Sequence, residues 1–380
     1  MRLLMASGDR QVTVGEKGPF HSMQREFSRY FERIDVLCPR PDGPIRTRTI
    51  HGNVHFHPAP CGRAGMVNYI LSAGSRLVAE HGHALVVSHD YGWFYNGFGC
   101  ARLSRAAAIP YLSEIHHVPG HPVAAGPREA FDRLVARCYV SWARDRVAAF
   151  RVVNREEMPQ LLRRWRVRPD KILVLPSLYI DFDVFRPAED GPPEPEQDVV
   201  FVGRMVGNKG LERIVDALAR LAARGLELRA LLVGKGPRAA PLRRRVRRLG
   251  LSERVRFVDW VASPADLADV YRKSRLCVCA STCEGGPRFT VEALACGTPV
   301  VSTPVGVMSD ILVDSGAGAL CGFDSASLAD SIERVLSDEE TRRAMSRCAV
   351  EVARPFEYAR SIGVYANGLR RLAGEPEIAP

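Results

Sequence analysis

Short apolar runs alternate with amphipathic stretches along the whole chain, and no other feature narrows the fold as far. Runs this short, rich in Val, Ile and Leu, read as strands buried on both faces. Parallel neighbours need a connection long enough to recross the sheet, and an intervening helix supplies it. The expected fold class is therefore α/β, with parallel sheets covered by helices. In the first half the strand candidates are 2–6, 34–38, 84–88, 110–115, 147–153 and 172–175, with helices such as 20–31 and 128–142 between them.

The scheme then starts again. Strand candidates 198–202, 228–233, 255–258, 276–279 and 299–302 follow a segment rich in proline and acid that begins at Arg186. Such a stretch, without periodicity, reads as a linker. A chain of 380 residues exceeds the usual single domain. We expect a first domain over 1–187, a linker over 188–197 and a second domain over 198–355. Two doubly wound sheets of this kind bind ligands at the carboxyl ends of their strands.

No apolar run reaches the ~18 residues of a membrane span. The start, 1–7, meets Gly8-Asp9 too soon for a secretion signal and reads as a first buried strand of a cytoplasmic protein. The ten cysteines show no disulfide framework and no CxxC pair, so free, mostly buried thiols are expected, and no zinc site at Cys277, Cys279, Cys283 and Cys296. Net charge is +10, with a dense run at Arg243, Arg244, Arg245, Arg247 and Arg248. A solvated helix face is the preferred reading of that run. The second is attraction to an anionic membrane surface, at the inner face of the membrane, or to a phosphate-bearing substrate. The run lacks interleaved aromatics for stacking bases, which argues against a nucleic-acid partner.

Three segments carry chemistry. The first runs from Glu284-Gly-Gly-Pro through Glu292 to Val301. It follows a buried strand and opens a helix. Gly285 and Gly286 allow backbone to approach a ligand, and the helix start offers N–H groups to an anion or to sugar oxygens. A carboxylate such as Glu292 can accept two hydrogen bonds from a vicinal diol; equally, it can be a solvated helix residue. The second segment is Val202-Gly203-Arg204 followed by Lys209-Gly210, two cations between a strand end and a helix start. The third, Val233-Gly-Lys-Gly-Pro, is satisfied by a tight turn alone.

Their order resembles the donor domain of glycosyltransferase family 4, retaining enzymes of the two-domain GT-B fold. Gly203-Arg204…Lys209-Gly210 is followed by Val233-Gly-x-Gly-Pro and Val255-Arg-Phe-x-x-Trp-Val. Then come Ser281-x-x-Glu-Gly, Glu292-Ala-x-Ala-Cys-Gly-Thr-Pro-Val-Val, Thr303-Pro-Val-Gly and Asp314-Ser-Gly-Ala-Gly. The resemblance covers about 199–335, and the tail 356–374 resembles the family's closing helix, which returns to the first domain. The first half matches less closely, through Pro110-Tyr-Leu-Ser-Glu-Ile-His116 and Asp181…Phe185-Arg-Pro187. The loop Gly15-Glu-Lys-Gly18 stands where the family has a glycine-rich turn, but is longer.

The resemblance implies a nucleoside diphosphate sugar as donor and a glycan, lipid-linked or small-molecule acceptor, in polysaccharide or glycoconjugate synthesis. It implies that Glu292 binds the ribose, and that Glu284, Gly285 and Gly286 hold the donor sugar. Gly203, Arg204 and Lys209 would meet the diphosphate. His116 would line the reacting face of the sugar, and Gly18 would approach the phosphates or the acceptor. It implies neither cofactor nor metal, the two cations standing in place of one, and a donor phosphate oxygen as base. Contacts to the nucleobase would come from backbone at 257–261.

All ten histidines lie between His21 and His121. His51, His55 and His57, like His116, His117 and His121, invite a metal reading but fall in strand or loop sequence, and no metal site is expected. Trp93, Phe94, Tyr95 and Phe98 are expected to pack in a core, an acceptor- or lipid-contact surface being the alternative. Two rival functions remain, a nucleotide-sugar epimerase of the same fold and a non-catalytic nucleotide- or glycan-binding subunit. The spacing of Glu284 and Glu292 with Arg204 and Lys209 argues against both.

Overall fold

The computed structural model describes residues 1–379. They form two compact units. Unit 1 comprises Met1–Val118, Phe131–Ser177 and Ala359–Pro380; unit 2 comprises Pro119–Ala130 and Leu178–Tyr358.

Unit 1 is built on eight strands: β1 (Arg2–Ala6), β2 (Arg33–Cys38), β3 (Arg48–Ile50), β4 (Val54–Pro58), β5 (Leu85–His89), β6 (Tyr111–Glu114), β7 (Ala149–Val152) and β8 (Ile172–Val174). Their order is β3-β4-β2-β1-β5-β6-β7-β8. Every pair is parallel except β3 with β4. β1 is central, and Leu3, Leu4 and Met5 are completely buried, as its unbroken apolar run requires. The hairpin of β3 and β4 is absent from the sequence reading. β3 is exposed at the sheet edge, and β4 interleaves His55 and His57 with buried Val54 and Phe56, so neither shows an apolar run.

Unit 2 holds β9 (Gln197–Val202), β10 (Ala230–Val233), β11 (Val255–Val258), β12 (Ser274–Cys279), β13 (Val300–Ser302) and β14 (Gly318–Leu320). The order is β11-β10-β9-β12-β13-β14, all parallel. β14 is the three-residue end of the loop 314–318 and its sequel, too short to read as a strand.

Both sheets reverse their winding once. β1 has β2 on one side and β5 on the other; β9 has β10 on one side and β12 on the other. The loops leaving such a pair of strands diverge to opposite faces, which opens a crevice at their carboxyl ends.

The unit limits differ from the expected 1–187, 188–197 and 198–355. Unit 2 already begins at Leu178, because Leu178, Ile180 and Phe185 join its apolar core. Ile180 N also donates to Phe356 O at 2.7 Å. The expected linker is a surface loop of unit 2, tied at its end by Glu196 N to Lys273 O, 2.9 Å. Pro119–Ala130, from the first half of the sequence, also belongs to unit 2. There Val123 N donates to Thr282 O at 3.3 Å. The last helix is Tyr358–Leu372, and from Ala359 the chain counts with unit 1. Tyr365 stacks on Phe27 with centroids 4.9 Å apart, and Arg370 donates to Tyr30 O at 2.9 Å. No described helix is long and apolar enough to cross a membrane.

Candidate functional site

In unit 2 the crevice lies between the loops after β9 and β12. The first loop carries Gly203, Arg204 and Lys209; the second carries Glu284, Gly285 and Gly286. The loops are stitched together by Thr282 N to Asn208 O at 2.8 Å and Asn208 Nδ2 to Cys283 O at 3.1 Å. Gly210 makes that seam possible. Its φ is +62°, and a Cβ there would lie 2.0 Å from the Ala280 carbonyl oxygen. On the other flank Gly234, with φ +140°, would put a Cβ 1.9 Å from Gly203 O. The Val-Gly-Lys-Gly-Pro turn therefore presses its backbone onto the Gly203-Arg204 turn, and Lys235 O accepts from Met205 N at 2.7 Å. This brings a third cation, Lys235, beside the two expected ones. Sequence reasoning passed over it because the glycines alone account for a turn.

Lys209 Nζ is paired with Glu284 Oε1 at 2.5 Å, both side chains largely buried. Arg204 and Lys235 are exposed and have no ion-pair partner among the described residues. The site thus holds one neutralised pair and two open cations. An anion entering here gains the open cations without first breaking a pair.

Glu292 lies inside the helix Arg288–Ala295 and is 7% exposed, which settles it as a buried rather than a solvated carboxylate. Burial raises its pKa, against the opposing effect of Arg288. Arg288 Nε donates to Oε1 at 2.7 Å and the buried Tyr271 hydroxyl to Oε2 at 3.2 Å. Neither partner was foreseen. Arg288 stands one turn before Glu292, the spacing at which helix side chains meet; Tyr271 comes from another helix, and nothing local announces it.

Unit 1 places His116 just beyond β6. Its Nε2 lies 3.7 Å from Glu114 Oε2 and 3.4 Å from Arg151 Nη1. Beneath it sits a buried cluster that the sequence did not announce. Glu114 Oε2 pairs with Arg151 Nη1 at 2.9 Å and with His89 Nε2 at 3.3 Å, while the Tyr365 hydroxyl donates to Glu114 Oε1. The Arg151 guanidinium lies 3.7 Å over the Tyr365 ring. Burial acts to raise the Glu114 pKa, but Arg151, His89 and His116 outweigh it and hold the carboxyl well below the usual range. Burial pushes the His89 imidazole down to about 4. The available signal was one charged residue in each of two strands, Glu114 in β6 and Arg151 in β7.

Gly18 precedes the helix Pro19–Phe27 in an extended conformation that any residue adopts; a Cβ there would meet only the flexible Gln11 side chain, at 2.6 Å. A one-turn helix, Gln11–Val14, leads into the loop Gly15–Gly18 that stands where the family has a glycine-rich turn. The structure thus shows no steric need for glycine at position 18.

The remaining histidines have other occupations. His57 Nε2 and His83 Nε2 donate to the Asp35 carboxylate at 2.7 and 2.8 Å, together with Arg33. His55 pairs with Thr49 at 2.9 Å. Among the described residues no group of three His, Cys, Asp or Glu side chains is placed to hold a metal. All ten cysteines are free, and Cys277, Cys279, Cys283 and Cys296 are buried. In the arginine run, Arg245 pairs with Asp216 at 2.6 Å, and Arg243 lies over Phe257 at 4.4 Å and near Asp259.

The comparisons with known proteins fit this arrangement. The model for "Glycosyl transferases group 1" matches residues 184–351, and that for a "Glycosyl transferase 4-like domain" matches 20–177. A D-inositol 3-phosphate glycosyltransferase 2 of Catenulispora acidiphila is 30% identical over 379 residues, covering 94% of this chain and 79% of the relative. The D-inositol 3-phosphate glycosyltransferase of Corynebacterium efficiens is 34% identical over 232 residues, 57% of this chain. The chain spans about half the length of that relative, 54%. Among solved structures, the sucrose-phosphate synthase of Thermosynechococcus elongatus superposes with a TM-score of 0.76 at 20% identity, covering 98% of each chain. Anabaena HepE, solved with UDP, gives 0.72 at 20% identity over 95% of this chain and 97% of its own. The fold is GT-B, and the chain belongs to glycosyltransferase family 4.

Proposed function

We propose that this chain is a retaining glycosyltransferase that moves a sugar from a nucleoside diphosphate sugar, without a metal, to an acceptor held by unit 1. One observation carries the reading. Arg204, Lys209 and Glu284 stand on the loops at the point where the unit 2 sheet reverses its winding, with Lys235 on the neighbouring loop after β10 and Glu292 in the helix that follows Glu284. HepE, of the same fold, has been solved with UDP-glucose, and the relatives above carry glycosyltransferase names.

The chemistry follows from charge. Cleaving the glycosidic bond leaves negative charge on the diphosphate and positive character on the sugar. Arg204, open to an anion, and Lys209, once drawn from its pair with Glu284, would meet the negative charge as it develops. Glu284 and the backbone of Gly285 and Gly286 would hold sugar hydroxyls, and Glu292 the ribose diol. His116 keeps the role the resemblance implies, contact with the transferred sugar. A donor phosphate oxygen takes the acceptor proton on the face that the leaving group vacates, which gives retention. We place the reaction in the cytoplasm, with the arginine-rich helix Ala239–Arg248 supplying peripheral attraction to anionic lipid.

The test is a thermal-shift screen of UDP, GDP, ADP and their sugars, with and without EDTA. A ligand at ~100 times its Kd adds ~2.7 kcal/mol to the stability of the unit that binds it. No stabilisation by any nucleoside diphosphate would sink the donor reading. Loss of donor hydrolysis on chelation, restored by magnesium or manganese, would sink metal independence. An inverted anomer in early-time proton NMR of the product would sink retention.

A further inference from the structure

Strand register builds the buried cluster beneath His116. β6 and β7 are parallel neighbours, and Glu114 is paired in register with Arg151. Partners across a ladder share a face, so the two side chains meet. Their ion pair spans 2.9 Å, and both residues are almost fully buried. A buried charge persists only when it is paired and its remaining hydrogen-bonding groups are engaged. Arg151 satisfies this on three sides. Its Nη2 donates to the carbonyl of Pro176, just past β8, and the guanidinium plane lies 3.7 Å over the Tyr365 ring. Tyr365 in turn donates its hydroxyl to the other carboxylate oxygen of Glu114. The guanidinium is thereby fixed in place and in orientation.

One of its N–H groups is aimed at His116. Nη1 lies 3.4 Å from His116 Nε2 in hydrogen-bonding geometry. Glu114 Oε2 is 3.7 Å from the same nitrogen, beyond bonding reach. A guanidinium carries N–H donors and no acceptor. Nε2 must then accept, which puts its lone pair there and the imidazole proton on Nδ1. That Nδ1 makes no hydrogen bond among the described residues, and the His116 side chain is 44% exposed. His89, the other imidazole at this carboxylate, is placed differently. Its Nε2 faces Glu114 Oε2 at 3.3 Å and its Nδ1 faces the Ser7 hydroxyl at 3.2 Å, so both ring nitrogens are engaged. His116 alone of the two keeps a ring nitrogen for a group outside the cluster.

We propose that Arg151 is the positioning residue of His116. It holds the imidazole with its lone pair on Nε2 and its proton on Nδ1. His116, which the reading above places against the transferred sugar and on which this role rests, then meets that sugar as an N–H donor to one of its oxygens. With Nε2 occupied by the guanidinium, His116 has no nitrogen left to take a proton from the acceptor. The acceptor proton is thereby left to the donor phosphate oxygen. Glu114 acts one step further back by fixing Arg151, and Tyr365 fixes both.

The experiment is long-range proton–nitrogen NMR of the full chain labelled with nitrogen-15 histidine, at about pH 8, above the ordinary histidine range. His116→Asn assigns the signal by its loss. The wild-type spectrum should show the His116 proton on Nδ1, and this reading needs no cluster variant to fold. The comparison variant replaces the cluster at once, Glu114→Met with Arg151→Met and Tyr365→Phe. Exchanging a whole buried ion pair for apolar side chains of similar volume is tolerated far better than removing one partner. Freed of Arg151, His116 should populate the form with its proton on Nε2. Hydrolysis of the nucleotide sugar that most stabilises the chain in the thermal-shift screen gives the second readout. In the triple variant turnover should fall roughly 10- to 100-fold, the order of loss for a misplaced contact. The donor Michaelis constant should stay within about twofold, as for an interaction made in the transition state. His116→Asn should lose about as much, and adding it to the triple variant should cost little more. A wild-type His116 with its proton on Nε2, one tautomer with and without Arg151, or wild-type turnover in the triple variant would each overturn the proposal. If no nucleotide sugar binds, the donor reading falls and the tautomer alone decides the role of Arg151.

Discussion

The two sheets reverse their winding at equivalent places, and what stands at those places differs. In unit 2 the crevice between β9 and β12 is made by backbone. Gly210 and Gly234 let three loops close on one another, and the charged side chains sit on top, Lys209 paired with Glu284 and Arg204 left open. In unit 1 the charges lie underneath instead. Glu114 and Arg151 form a buried pair below His116, while Asp90, beneath the next loop, collects Ser88, Ser113, Tyr111 and Tyr139 hydroxyls. Burial raises the Asp90 pKa to about 6 despite those bonds. The lesson is that one topology supports two designs. One closes its loops on one another through glycine backbone, and the other sets its loops on a foundation of buried polar side chains.

The comparison breaks most visibly if the unit 1 foundation is cut. Glu114→Gln leaves Arg151 charged and buried without its partner, which typically costs ~3–5 kcal/mol. The expected result is a large drop in the melting temperature of unit 1 with UDP affinity retained. The Glu114 pKa is depressed by folding, so its contribution is fully present above the ordinary glutamate range and lost as pH falls below it. The variant should therefore lose part of the wild-type acid sensitivity; an unchanged melting temperature would show that the buried pair is no foundation.

The next largest effect concerns the open cation of unit 2. Removal of one well-placed electrostatic donor typically lowers turnover by ~10²–10³. Arg204→Ala should fall in that range at saturating donor, and Arg204→Lys, which keeps the charge but loses the fork, should fall less. Circular dichroism and melting temperature should match wild type, since the side chain is exposed. Near wild-type turnover would leave Lys209 and Lys235 as the cations that meet the leaving group.

The smallest effect sharpens the contrast between loop and helix residues. Glu292→Ala removes a charged acceptor worth ~1.5–3 kcal/mol, so the donor Michaelis constant should rise more than turnover falls. Tyr271→Phe takes away only one of the two groups holding the carboxylate and should shift the same constant in the same direction, by less. Equal losses in turnover and in the ratio kcat/KM would move Glu292 from ribose binding to the chemical step.

The candidate site of unit 2 was legible because its requirements are local. A glycine that must pass a carbonyl, a cation at a helix start and a carboxylate one turn into a helix all leave their mark within a few residues, as Gly203-Arg204, Lys209-Gly210 and Glu284 to Glu292 do. The parallel strands were legible for a similar reason, since a strand buried on both faces must be apolar throughout. β3 and β4 escaped because an edge hairpin carries no such demand, and Lys235 escaped because its turn already had an explanation.

The sequence by itself determined the α/β alternation, the family and which charged residues follow β9 and β12. Tertiary structure alone decided that Pro119–Ala130 belongs with unit 2, that Tyr271 and Arg288 hold Glu292, that Glu114 and Arg151 lie buried together, and that Phe94 turns in while Trp93 stays out. The reason is range. A short-range pattern is written in neighbouring residues, whereas a buried pair between strands joins residues far apart in the chain, and its stability comes from a desolvated contact that neither partner's neighbours encode.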